Sequence, residues 1–278
     1  METFVINNDP LPHFTIPSWT KLLPDLSVGF STRIGGQSVG NYDSMNLALH
    51  VGDHKEHVIA NRQKLMSIIG FSYDAWTVAE QIHGNHIEII TDEKRGRGRF
   101  DQKDAIPATD GLLTDEPDIL LTSYYADCVP LFFLDPKKRV VGLAHAGWKG
   151  TVLKIAEKMV EAMVKHYQSS IKEIRVAIGP SIGQCCYEVN HQVIDPLREA
   201  IDNLPQDAII DKKNGHFDLD LKKINRQILI NAGILYENIE ISSLCTSCNP
   251  DLLFSYRRDQ GLTGRMASWI GLRRDEGV

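Results

Sequence analysis

The chain has 278 residues, 42% hydrophobic and 24% charged, with a formal net charge of −6. That length buries a sizeable core, and the balance of residue types excludes disorder and fibrous architecture. An acidic chain without a basic helix is also a poor match for a nucleic-acid backbone.

The first residues, Met1 to Asp9, lack a basic segment leading into a long apolar stretch, so no secretory signal is expected. No window approaches 18 uninterrupted apolar residues, so no membrane span is expected. Five cysteines, an odd number, then point to a reducing compartment and a cytoplasmic location. Trp76–Glu80 and Ile87–Ile90 are strand-like, and Gly84-Asn85 between them predicts a tight turn with His83 at its rim. Lys94-Arg95-Gly96-Arg97-Gly98-Arg99 is expected to be a solvated loop. Asp118–Ser123, Val129–Leu134 and Arg139–Ala144 are apolar runs that predict buried strands, with a turn at Asp135–Lys138. Ile155, Met159, Met163 and Tyr167 recur every fourth residue and predict one amphipathic helix over Thr151–Tyr167. Ile174, Val176 and Ile178 alternate as a strand that stops at Gly179-Pro180. Asp218 or Asp220 caps a helix carrying Leu221, Ile224, Ile228 and Leu229, which Gly233 ends, and Ile239 and Ile241 start another strand. Strands and helices in similar measure, without a linker, predict one α+β layered domain over 1–278.

Three stretches are more polar and glycine-rich than a core requires: Gln81–His86, Tyr124–Cys128 and Ala144–Thr151. The third combines a strand exit with a helix start, a geometry that binds anions through backbone N–H groups. Two imidazoles and a thiolate, His83, His145 and Cys128, are the ligand set of an open zinc site, which lowers the pKa of a bound water towards ~7. Against this, a single Cys or His is commonly structural, and separations of 45 and 17 positions match no local zinc signature. Cys245-Thr246-Ser247-Cys248 and the adjacent Cys185-Cys186 offer either a four-thiol structural zinc or ordinary packing. His86-Ile87-Glu88 carries half of a nucleobase-deaminase signature, but Leu244 precedes Cys245 where proline is required. In Ser31–Gly36, Arg33 is either a donor to phosphate or sugar or an exposed turn arginine, and the same two readings apply to Arg257 and Arg258.

As an ordered series these motifs resemble the YfiH/YlmD family, also called the multicopper polyphenol oxidase or laccase-domain family. Phe30–Gly36, Asn46–Asp53, Gln81–Gly84, Ala126–Pro130, Ala144–Trp148, Ile178–Ile182, Cys186–Val189 and Phe254–Arg258 carry the resemblance, which runs from Gly29 to Arg265. It implies an α/β/β/α sandwich related to the cytotoxic necrotizing factor catalytic domain, with His83, Cys128 and His145 holding zinc or copper. It further implies phosphorolysis of adenosine, inosine and methylthioadenosine, and deamination of adenosine in the same pocket. On that reading the partners are a purine nucleoside and phosphate, with monomer and homodimer both open. Arg33, Asn46, Gly147 and Lys149 would position the substrates, and Glu188 or Asp127 would carry the proton in deamination. The sequence lacks the multiple His-x-His clusters that a multicopper oxidase needs. The alternatives are a thiol or metal-dependent amide hydrolase acting on cell-wall precursors, with Cys128 as nucleophile and His145 as base, or a binding module without turnover.

Overall fold

The structure is a computed structural model and describes residues 2–274. In chain order the strands and helices are β1 (Val5–Asn7), β2 (His13–Thr15), α1 (Pro17–Leu22), β3 (Leu26–Ser31), α2 (Lys55–Ile69), β4 (Trp76–Val78), β5 (Ile87–Ile89) and β6 (Gly111–Thr114). They continue with β7 (Leu120–Tyr125), β8 (Val129–Asp135), β9 (Val140–Ala146), α3 (Trp148–Val152), α4 (Ile155–Tyr167), β10 (Arg175–Ile178), β11 (Glu188–Asn190) and α5 (His191–Ala200). The last are β12 (Ile209–Asp211), β13 (His216–Leu219), α6 (Leu221–Asn231), β14 (Ile239–Ile241) and β15 (Met266–Leu272).

Two six-stranded sheets form, in the orders β1-β2-β3-β15-β7-β4 and β14-β10-β8-β9-β6-β5, with a small sheet β11-β13-β12 beside them. Every residue of β7, β8 and β9 is buried, because each strand is covered on both faces. Between the sheets pack Phe30, Leu121, Tyr125, Phe132, Leu143 and Ile270. Leu65, Met66 and Ile69 of α2 cover Trp76, Leu120 and Trp269 on the outer face of the first sheet. On the outer face of the second, Met159 and Met163 of α4 and Ile224 and Ile228 of α6 meet Leu131, Phe133 and Val176. The layering is therefore α/β/β/α, as the resemblance implies.

Local chemistry accounts for the punctuation. Asp135 accepts the backbone N–H groups of Lys137 and Lys138 at 2.9 and 3.0 Å and closes the β8–β9 hairpin. Asp220, not Asp218, caps α6 by accepting from the N–H of Lys223 at 3.1 Å, and Asp218 lies inside β13. Two expectations need correction. The helix expected over Thr151–Tyr167 is two helices, broken at Lys154, whose φ of 55° lies in the left-handed region. The basic stretch 94–99 is half-buried, and its four cations pair with Glu88, Asp92, Asp104 and Asp74.

One topological feature positions the site. β4 and β5 belong to different sheets, so residues 79–86 are a crossing between layers and no hairpin turn forms there. β7 and β8 also belong to different sheets, so Ala126–Cys128 makes a second crossing.

Candidate metal centre

Both crossings meet the end of β9, and this meeting brings His83, Cys128 and His145 together. One ligand atom from each lies within 4.8 Å of the others. The His83 and His145 rings meet edge-on at 4.7 Å, and Cys128 Sγ is 3.9 Å from His83 Nε2. His83 is exposed, Cys128 half-buried and His145 buried, so the group opens outward on one side.

Asp110, immediately before β6, organises the group, and nothing in the sequence had singled it out. Its Oδ1 accepts from His145 Nδ1 at 2.8 Å and from the N–H of His83 at 3.1 Å. Its Oδ2 accepts from the N–H groups of Gly84 at 2.7 Å and Ile82 at 3.1 Å. The carboxylate thus holds His83 in its left-handed conformation, φ 62°, and turns His145 Nε2 towards Cys128. Gln81 adds a two-point clamp, donating to the carbonyl of Tyr124 at 3.0 Å and accepting from its N–H at 2.8 Å.

Electrostatics follow from this packing. Burial alone would raise the Cys128 thiol, but the charge of His145 and hydrogen bonds from both imidazoles outweigh it and lower it to about 6. Burial likewise pushes His145 down, while the Cys128 charge and the Asp110 hydrogen bond outweigh it and raise it to about 9. Without metal the group is a thiolate–imidazolium pair. Alkylation of Cys128 in metal-free protein is therefore expected to fall by half near pH 6, where an ordinary thiol does so near about 8.5. Peptide mapping after iodoacetamide treatment across pH checks this, and an ordinary thiol profile would contradict it.

Gly147 is needed for close approach. A Cβ there would stand 2.9 Å from His83 Cδ2 and 3.1 Å from Cys128 Sγ. Gly150 similarly admits the carbonyls of Gly84 and His145, each 3.2 Å from where its Cβ would be. These glycines serve packing around the ligands. The helix they open, α3, has only five residues, which leaves little of the anion site expected at its start.

A cavity of about 630 Å³ spreads from the three ligands. Asp127, Lys149 and Arg257 line it as sequence reasoning suggested, together with His50, Tyr187, Tyr256 and Arg265, which that reasoning missed. Four expected residues take other roles. Arg33 donates to the carbonyls of Asp43 and Pro250 at 3.0 and 3.1 Å and stacks on Phe254, outside the cavity lining. Asn46 is fully buried and accepts from the N–H of Arg265 at 2.9 Å, so it places that arginine without reaching the cavity. Glu188 pairs with Lys212 and with His216 at 3.0 Å on the small sheet, away from the lining. Asp127 reaches the cavity, but its oxygens are occupied by Thr246 Oγ1 at 2.6 Å and the N–H of Arg257 at 2.7 Å. His86 and Glu88 pair with each other at 3.1 Å on the surface and contribute no ligand here.

The donor set fits a single divalent ion with an open position: mixed N and S ligands, an oriented second imidazole and a glycine where a side chain would intrude. Residues 27–273 match the family model described as multi-copper polyphenol oxidoreductase laccase. A protein of Geobacillus stearothermophilus named purine nucleoside phosphorylase YlmD is 44% identical over 251 residues, 89% of this chain and 90% of that protein. The Bacillus subtilis protein of that name is 41% identical over 252 residues, 90% of this chain and 89% of its own. A crystal structure of a Bacillus licheniformis hypothetical protein, YfiH, superposes with a TM-score of 0.93 at 44% identity, covering 96% of this chain and 99% of that one. The chain belongs to the laccase-domain family that includes YfiH and YlmD.

Proposed function

We propose that the protein is a metal-dependent purine nucleoside phosphorylase, using adenosine, inosine and methylthioadenosine, with adenosine deamination in the same cavity. The observation that carries this reading is the cavity itself. It joins the three ligands to three cations, Lys149, Arg257 and Arg265, none of which pairs with a carboxylate among the described residues. Free cations beside aromatic walls suit a substrate pair of phosphate and a flat base. The relatives named purine nucleoside phosphorylase support the same chemistry.

The residues divide the work. Arg257 is anchored by donating to the carbonyl of Glu188 at 2.7 Å, and Arg265 to the carbonyls of Thr263 and Gly264 at 2.7 and 3.0 Å. Both keep further N–H groups for phosphate, held for attack at C1′ of the ribose as the bond to the purine breaks. Tyr187 and Tyr256 supply faces against which a purine stacks. His50 is held neutral, because burial and the charges of Arg265 and Arg62 lower it to about 4, so its imidazole can hydrogen-bond a purine edge. Glu188 and Asp127 are not free to move a proton in deamination, so that step draws on other groups. A bound zinc, our assignment, supplies Lewis-acid polarisation of an oxygen, and the same ligands accept copper. The two candidate metal clusters among the described residues do not make the histidine-rich set of a multicopper oxidase. Five unpaired cysteines suit the cytoplasm.

Lys149 gives a separable test, because its ammonium has no hydrogen-bonded partner among the described residues and faces the Trp148 ring at 5.6 Å. Lys149→Met is expected to raise KM for phosphate by about 10-fold, the value of one charged hydrogen bond, with kcat little changed. Initial rates at varied phosphate check this, and an unchanged KM would remove Lys149 from the phosphate site.

One observation favours a second reading. Cys128, His145 and Asp110 form a thiolate–imidazole–carboxylate series of the kind used by thiol hydrolases. Amide hydrolysis that survives chelation and stops on alkylation would select it, and a cell-wall precursor is the substrate class to try.

A further inference from the structure

The other four cysteines converge on one point, far from one another in sequence. Cys185 and Cys186 lie in a turn closed by the Cys186 N–H on the carbonyl of Gly183 at 3.0 Å. Cys245 and Cys248 flank the short segment Thr246-Ser247 on a second loop. The two loops are pinned together where the N–H of Thr246 meets the carbonyl of Ser181 at 3.0 Å. Cys248 Sγ lies 3.5 Å from Cys185 Sγ and 3.4 Å from Cys186 Sγ, and all four sulfurs lie within 4.8 Å of one another. Adjacent positions therefore present no steric obstacle to a common centre.

We propose that Cys185, Cys186, Cys245 and Cys248 form a second, structural metal site for a thiophilic divalent ion of the zinc class. Four features carry it. The separations are too long for disulfides, whose S–S bond is about 2.05 Å. They approach the edges of a tetrahedron with bonds of about 2.3 Å, where sulfurs stand roughly 3.8 Å apart. Ordinary packing does not explain the group, since Cys185 and Cys248 are exposed. The surroundings also suit a four-thiolate complex, which carries a net charge of about −2 with a divalent ion. The N–H of Gly183 donates to Cys245 Sγ at 3.2 Å. Buried Lys222 donates to the carbonyls of Ser242 and Leu244 at 2.8 and 3.0 Å and forms no ion pair among the described residues, so its charge is available beside Cys245. Arg258 donates to the carbonyl of Thr246 at 3.0 Å, inside the Cys245–Cys248 segment.

Binding releases the thiol protons to solvent and changes no oxidation state. The ion ties together two loops that serve the cavity. One leads from Ile182 to Tyr187, and the other carries Thr246, which bonds Asp127, and continues to Tyr256 and Arg257.

The test is metal content, which does not depend on any activity. Holoprotein purified with a thiol reductant and no chelator is expected to carry two ions per chain by elemental analysis. The Cys245→Ser/Cys248→Ser and His83→Ala/Cys128→Ala variants are each expected to carry one. A metal content that is the same in wild type and in Cys245→Ser/Cys248→Ser, whether one ion or two, would overturn the proposal, as would a disulfide among these cysteines in unreduced peptide maps. Cobalt exchange decides the matter even if the serine variant does not fold. Cys128→Ala, which keeps four of the five thiolates, is expected to retain about four-fifths of the thiolate-to-cobalt absorption. Complete loss of that absorption in Cys128→Ala would show that Cys128 is the sole thiolate ligand.

Discussion

Replacing Asp110 by Asn is expected to lower metal affinity about 10- to 100-fold and turnover by a similar factor, with the fold retained. Asp110 is a side chain with four acceptor contacts, from His145 Nδ1 and the N–H groups of Ile82, His83 and Gly84. An amide has only one oxygen, so its NH2 must face donors, either at the imidazole or at the turn. If it faces the imidazole, His145 loses the partner that directs Nε2 to the metal. If it faces the turn, Ile82 and Gly84 lose their acceptor and the segment that presents His83 loses two of its three anchors. Asp110→Ala removes all four contacts and is expected to cost on the order of 3–5 kcal/mol in denaturant unfolding, as for other broken buried charge networks. Metal titration against a competing chelator reads the first effect. Wild-type affinity in Asp110→Asn would show that the ligands are oriented by something else.

Gly147→Ala is expected to empty the centre more completely than the change in size suggests. The added methyl would stand 2.9 Å from His83 Cδ2 and 3.1 Å from Cys128 Sγ, so at least one ligand must move. His83 is the exposed ligand and has room to swing away, which sacrifices one of three metal bonds. Affinity should fall by at least about 100-fold, since misplacing one ligand exceeds the loss of a supporting contact. Thermal unfolding of the metal-free protein should change little, because Gly147 has φ −67° and carries no backbone strain for alanine. Metal content near one per chain at the His83 centre in Gly147→Ala would contradict the close-approach role.

How much of this was legible in the sequence depended on how local each signal was. The strands Leu120–Tyr125, Val129–Asp135 and Val140–Ala146 showed themselves as apolar runs because both faces of each are covered. The cap of α6 was legible as a choice between Asp218 and Asp220, because a cap acts within three residues, and the end of β13 at Leu219 decides for Asp220. The break at Lys154 was not, since the apolar repeat of Ile155, Met159 and Met163 is silent on where a helix begins. The three ligands came from the ordered motifs, because contacts across 45 and 17 positions leave no periodicity to read. Asp110 escaped notice because Thr109-Asp110-Gly111 looks like a turn; its role depends on Gly111 lying opposite Ala144, which sets Asp110 beside His145. Arg265 and His50 approach the cavity from distant parts of the chain, and only the sheet order brings them together. Glu188 and Arg33 belonged to recognisable motifs, but motif membership does not say which way a side chain points. Glu188 points to Lys212, and Arg33 to the carbonyls of Asp43 and Pro250.

The most direct test incubates metal-replete wild-type and Cys128→Ala protein with adenosine or inosine, with and without phosphate, and identifies products by chromatography with mass detection. The expected result for wild type is free base and ribose-1-phosphate that form only with phosphate, and both should be lost in Cys128→Ala and on chelation. No free base from wild-type protein carrying metal at the His83 centre, or full phosphorolysis by Cys128→Ala, would contradict the assignment.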